Sequence, residues 1–170
     1  MALWRAGGFV DNPWKALADD EPIPASGAII VTAKRWRAER EALSLRADLV
    51  GVAISPGKGA EGELREAVDR PLVALEFPKF ADGRAFSLAQ LLRQRYGFTG
   101  ELRAVGEVLL DEIPLMLRCG FESFDIVHEP TLRALAGGRL PRPALYYQPS
   151  LATHEVPAGT RPWLRRRASA

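Results

Sequence analysis

Four charged side chains, Glu76, Lys79, Asp82 and Arg84, share one short stretch, EFPKFADGRAF. Together they could hold a small anion, because the planar fork of Arg84 matches a carboxylate, a phosphate or a sulfur oxyanion. A helix starting at Ser87 would add the positive end of its dipole. The structural alternative is a turn at Asp82-Gly83, with Arg84 paired to Asp82 or Glu76. A second stretch, GEVLLDE, offers Glu107 and Asp111 as carboxylates, with Asp111 equally readable as a helix cap. Arg103 completes the set. A charge inside a strand-like run needs a carboxylate or a cavity. Glu76, Lys79, Asp82, Arg84, Arg103, Glu107 and Asp111 are therefore the candidate ligand-binding residues. No catalytic residue can be assigned among them.

Other signals are weaker. His128 beside Glu129 could act as a general base, although a structural histidine is the simpler reading. Cys119 ends a helix, away from the pole that would activate a thiolate, and reads as a small buried residue. The run GKGAEG formally matches GxGxxG after a strand, and Glu76 follows at a suitable distance. Pro56 interrupts the strand-to-loop passage, however, and Glu61, Glu63 and Glu66 would crowd a pyrophosphate. It reads as a surface loop. One cysteine and two histidines exclude an internal disulfide, a CxxC pair and a thiolate set for an iron–sulfur cluster, and give no zinc pattern. No metal site and no convincing cofactor motif follow.

The net charge of +2 owes much to Arg161, Arg165, Arg166 and Arg167; without those four the remainder carries about −2. A mildly acidic body does not advertise a nucleic-acid surface. No run is apolar enough to span a bilayer, and the first residues lack a signal-peptide pattern, so the expected location is cytoplasmic.

The elements that must position these residues follow from periodicity. ALWRAGGFVD reads as an N-terminal β-hairpin turning at Gly7-Gly8. Strand-like runs follow at 28–32, 49–54, 72–76, 102–105 and 124–127, with a further short one at 145–147. Helical patterns occupy 35–46, 61–69, 88–96, 112–119 and 132–135. Apolar strands alternating with amphipathic helices indicate an α/β fold of repeated βα units on a parallel sheet. The units are too few for a closed (β/α)8 barrel, which leaves a partial TIM-barrel-like fold or an open flavodoxin-like sheet. Ser87 with Gln90 suggests a capping box, and Gly97-Phe98 and Gly120-Phe121 suggest matching helix stops. Ligands in such folds bind at the carboxyl ends of the strands, which also selects 55–59, His128 and Gln148. Residues 1–150 form the expected single domain, and 151–170 a flexible Pro/Arg-rich tail. An open strand edge needs cover from the hairpin, the C-terminal segment or a second copy in a homo-oligomer.

The segments LEFPKFADGRAFSLAQLLRQRYGFTGELRAVGEVLLDE and LRCGFESF resemble the bacterial family numbered 934 among domains of unknown function, whose members are often labelled oxidoreductases of sulfite reduction. LWRAGGFVDNPWKAL and IIVTAKRW fit it more loosely. Glu112 stands where the family usually has Gln, and the glycine-rich loop after Ser55 departs from it. The resemblance implies a role in assimilatory sulfur metabolism, with sulfite reductase components as partners. A chain with one cysteine cannot build the iron–sulfur and sirohaem apparatus of the reductase itself, so an accessory role is the expectation. A small-anion-binding enzyme and a non-catalytic scaffold are the alternatives.

Overall fold

A computed structural model describes residues 2–147 and 155–167. The N-terminal hairpin pairs β1 (Ala2–Arg5) with β2 (Gly8–Val10). Then come β3 (Trp14–Ala16), β4 (Ala28–Thr32), β5 (Val50–Ile54), β6 (Leu72–Phe77), β7 (Glu101–Gly106) and β8 (Ser123–Ile126). Their order in the sheet is β2-β1-β8-β7-β6-β5-β4-β3. From β3 to β8 every pairing is parallel and every neighbour is consecutive, while β1 lies antiparallel along β8. The sheet curls into a half-barrel. A flavodoxin-like sheet would reverse its strand order at a switch point; this one never does.

Helices cover the convex face: α1 (Ala33–Ala38), α2 (Arg40–Ser44), α3 (Ala60–Ala67), α4 (Arg84–Gln90), α5 (Ile113–Arg118) and α6 (Glu129–Ala136). Strand alternation decides which side chains meet them. Val31, Val52, Val73, Leu75, Leu102, Ala104 and Phe124 point to the helices and form the main core. Their sequence neighbours point to the concave face, where Ile30, Leu72 and Ala74 form a smaller apolar cluster with Trp14, Ala53 and Val105.

Both Gly-Phe stops are present. Gly97 has φ +66° and the Phe98 N–H reaches the Leu92 carbonyl; Gly120 has φ +92° and the Phe121 N–H reaches that of Met116. Phe98 and Phe121 are buried as the accompanying apolar contacts. The last turn before Gly97, Leu91–Arg95, widens to a π-helical turn. There the half-buried Arg93 binds the carbonyls of Phe98, Gly100 and Gly120, which ties together the entries to β7 and β8.

The helix starts differ from expectation. α4 begins at Arg84, so Ser87 lies inside it and no capping box forms. Asp82 does that work instead, accepting the Arg84 N–H at 3.3 Å after the Asp82-Gly83 turn. Asp111 caps nothing: α5 begins at Ile113 with Pro114 in its first turn, and Asp111 is exposed. The single helix expected at 35–46 divides at Glu39, where the carboxylate meets the buried Arg35 at 3.1 Å.

The segment expected as a flexible tail contains two strands. β9 (Leu145–Tyr146), β10 (Glu155–Ala158) and β11 (Arg161–Arg167) form an antiparallel sheet in the order β10-β11-β9. Arg118 fastens it to the body, pairing with the buried Glu155 at 2.7 Å and stacking 4.0 Å from the Tyr146 ring centroid. Local composition hid this because the acid that answers Arg118 is distant in sequence. Gln148 lies outside the described residues.

Candidate functional site: a groove on the concave face

Inward-facing positions of the half-barrel form three tiers along the strands. The lowest tier, at the amino ends of β7 and β8, is a closed polar network. Arg103, whose side chain is 1% exposed, donates to Glu101 Oε1 at 2.7 Å, to Asn12 Oδ1 at 3.1 Å and to Ser123 Oγ at 3.2 Å. Arg5 of the hairpin reaches the other Glu101 oxygen at 2.5 Å. Burial disfavours the charge on Glu101, but hydrogen bonds from Ser123 and Arg103 outweigh it and hold the carboxyl below its ordinary range. The network also explains how the hairpin is fixed over the β8 edge.

The middle tier is apolar. Ala53 of β5 sits in register with Ala74 of β6, flanked by Ile30 and Ala16 on one side and Val105 on the other. Small side chains leave space here, and the groove they floor encloses 620 Å³. That is the size of a small-molecule site. Asp125 of β8 enters the same groove, and its Oδ1 is buried without a hydrogen-bond partner. Burial pushes this carboxyl above its ordinary range, against the pull of Arg103.

The upper tier is a polar rim at the carboxyl ends of the strands. Glu76 accepts a hydrogen bond from the Ser55 hydroxyl, joining β6 to the end of β5. Thr32 donates to Asp19 at 2.5 Å and accepts the Arg35 N–H at 3.1 Å, so one hydroxyl caps α1 and holds the preceding loop. Lys34 pairs with Asp19 at 3.1 Å. Lys58 faces the same space and has no carboxylate partner among the described residues. This part of the groove measures 440 Å³ and shares Ala53, Val105 and Gly106 with the apolar part. Gly106 has φ +89°, and a Cβ there would stand 2.5 Å from the Phe77 carbonyl oxygen. Only glycine lets the ends of β6 and β7 approach so closely.

Residues 51–157 match the family described as "Bacterial protein of unknown function (DUF934)". The chain belongs to that family. No curated protein and no solved structure matches it. The DUF934 segment runs from β5 into β10 and so carries Ala53, Ala74, Val105 and Asp125, whereas β1 to β4 precede it.

The residues singled out in the sequence occupy three different settings. Glu76 and Glu107 border the groove. Glu107 also accepts the Phe80 N–H at 2.6 Å, fastening the loop after β6 to the loop after β7. Arg84 is spoken for by Asp82 at 2.6 Å on the exposed rim, and that guanidinium lowers the Asp82 carboxyl to about 2. Arg103 turns toward the amino end of β7, so the two guanidiniums serve opposite ends of the sheet. Lys79 and Asp111 are exposed in their loops. His128 borders the groove, with Nδ1 2.9 Å from Thr131 Oγ1 at the start of α6. Cys119 is buried near Gln90, and burial pushes its thiol up, away from a nucleophilic thiolate. In the glycine-rich loop, Cβ atoms added at Gly57, Gly59 or Gly62 would meet nothing within 4 Å. A dinucleotide fingerprint needs its last glycine for close helix packing, and Gly62 has no such neighbour.

Sequence reasoning missed Asp125 and Thr32, and reached Lys58 only as part of the strand-end loop 55–59. The signal for Asp125 was present in SFDI, where Ser123 and Asp125 alternate with Phe124 and Ile126. That period of two marks a strand with one polar face.

Proposed function

We propose that this DUF934 protein is an accessory factor of assimilatory sulfite reduction, and that it works by binding a small molecule in the concave groove. The observation that carries the binding part is the 620 Å³ apolar space opening onto a polar rim at the strand ends. The metabolic part rests on the resemblance, whose family members are often labelled oxidoreductases of sulfite reduction. The single buried cysteine favours a carrier or positioning role over thiol redox chemistry. Sulfite reductase components are the proposed partners. The test is a strain lacking the gene: it is expected to grow on cysteine and poorly on sulfate, and normal growth on sulfate would refute the metabolic assignment.

Among the described residues β2 and β3 are the edge strands of the large sheet, which favours a second reading, a scaffold that self-associates through strand pairing. Both edges have only 3 residues, and Pro13 precedes β3, which blunts them. Sedimentation showing a stable dimer through β3, lost on Lys15→Pro, would bring this reading forward.

A further inference from the structure

We propose that a second pocket, between the N-terminal hairpin and the C-terminal sheet, binds a compact apolar monoanion. The buried Trp4 and Leu135 and the half-buried Leu117 and Leu140 give it apolar walls. Its charged lining residues, among those described, are Arg142 and Arg167, and no acid accompanies them. The space measures 270 Å³, just under the range of a drug-sized ligand site. It shares no lining residue with the groove, so it stands independently of the groove reading.

Strand register explains why these cations are unspent. Arg167 stands opposite Glu155, so the two side chains share one face of the C-terminal sheet. Glu155 is the sole acid among the described residues of that sheet, and Arg118 has taken it at 2.7 Å. Arg142 lies between Pro141 and Pro143, which restrict its backbone. Neither Arg142 nor Arg167 makes a hydrogen bond or an ion pair among the described residues. Two like charges beside an apolar wall repel each other until an anion meets them. Helix ends offset part of the charge. Leu117 belongs to the last turn of α5 and Leu135 to that of α6, and a helix C-terminus carries about half a negative charge. The balance is roughly +1, which suits a monoanion. Trp4 adds a donor: the residue is 5% exposed, yet its indole N–H has no acceptor among the described residues and is not sealed from solvent.

The ligand chemistry is an apolar group carrying one carboxylate, which a free acid or the last residue of a partner chain could supply. Hexanoate and N-acetyl-leucine represent the two sources, with hexanol and N-acetyl-leucinamide as their neutral counterparts. Each is titrated into the isotope-labelled full chain while NMR follows the Trp4 indole N–H, assigned by its loss in Trp4→Phe. At least one acid should shift that signal saturably, hexanoate alone marking a free acid and N-acetyl-leucine alone a chain terminus. The neutral counterpart should bind about 10-fold more weakly. Arg142→Gln and Arg167→Gln should each weaken binding ~3-fold, and the double variant about 10-fold. Leu140→Glu puts a carboxylate in the wall and should abolish binding, whereas Ala53→Trp in the groove should leave it unchanged. Near-UV circular dichroism and a cooperative melt establish that each variant is folded. The proposal is overturned if neither acid shifts the Trp4 signal, if the neutral counterparts bind as tightly, or if the double arginine variant keeps full affinity. Loss of binding in Ala53→Trp would also overturn it, by moving the ligand to the groove.

Discussion

Asp125 and Glu101 lie on the same face of neighbouring strands and burial pushes both carboxyls up, yet their partners leave them with opposite titration behaviour. Glu101 has Ser123, Arg103 and Arg5 around it, so its folded carboxyl is held below the unfolded one. Its contribution is present above the unfolded value of 4.5 and is lost as pH falls through the folded value. Glu101→Gln should therefore destabilise the protein at neutral pH, and the cost should shrink on acidification. Asp125 is raised, so the folded state holds its proton more tightly than the unfolded state, and stability falls as pH rises from its unfolded value of 3.8 through the folded one. Asp125→Asn should gain stability at pH 7, with the gain fading toward pH 3.8. Urea denaturation across that range reads both slopes. Arg103→Met should cost roughly 3–5 kcal/mol in the same assay, because it strands Glu101 in a buried setting. The need for a partner at Arg103 could be read from a charged residue within an apolar strand. Glu101, two residues back on the same face of β7, is that partner; the rest of the network could not be read, because Asn12, Arg5 and Ser123 converge only once the hairpin docks on β8.

Element positions were legible where period and punctuation agreed. The strand at 28–32 was read to the residue, and both Gly-Phe stops close their helices as the sequence suggested. Helix starts were harder. Ser87 and Asp111 have the right chemistry for caps, but the Asp82-Gly83 turn already supplies a bond to the Arg84 N–H, and Glu112 takes the boundary position before α5. A cap is chosen by the loop that delivers it. The short C-terminal sheet was illegible for a related reason, since Arg118 and Glu155 meet across 37 positions. At this scale the glycines give the clearest tests. Gly62 lies inside α3 with open space around it, so Gly62→Ala should stabilise by ~0.5–1 kcal/mol through helix propensity. Gly106→Ala meets a left-handed φ and the Phe77 carbonyl together and should cost at least ~2 kcal/mol, measured by thermal and urea unfolding.

At the scale of the whole molecule, the alternation of strands and helices implied a parallel sheet, and too few units implied an incomplete barrel. What could not be read was how the incomplete barrel uses its inside. A closed barrel fills its interior with layers of large side chains. Here the lowest layer is an ion-paired network, the middle is built from alanines and left open, and the top is a rim of hydroxyls and charges. That gradient leaves a space of small-molecule size on the concave face, lined by Ala53, Ala74 and Val105 rather than by the exposed Lys79, Arg84 and Asp111. No helix among the described residues is long and apolar enough to cross a membrane. The most direct test is complementation of the gene-deletion strain on sulfate medium with the wild-type chain and with a folded Ala53→Trp variant at equal abundance. If the groove is the working part, the wild-type chain restores growth and Ala53→Trp does not; full rescue by Ala53→Trp would contradict the groove as the seat of function.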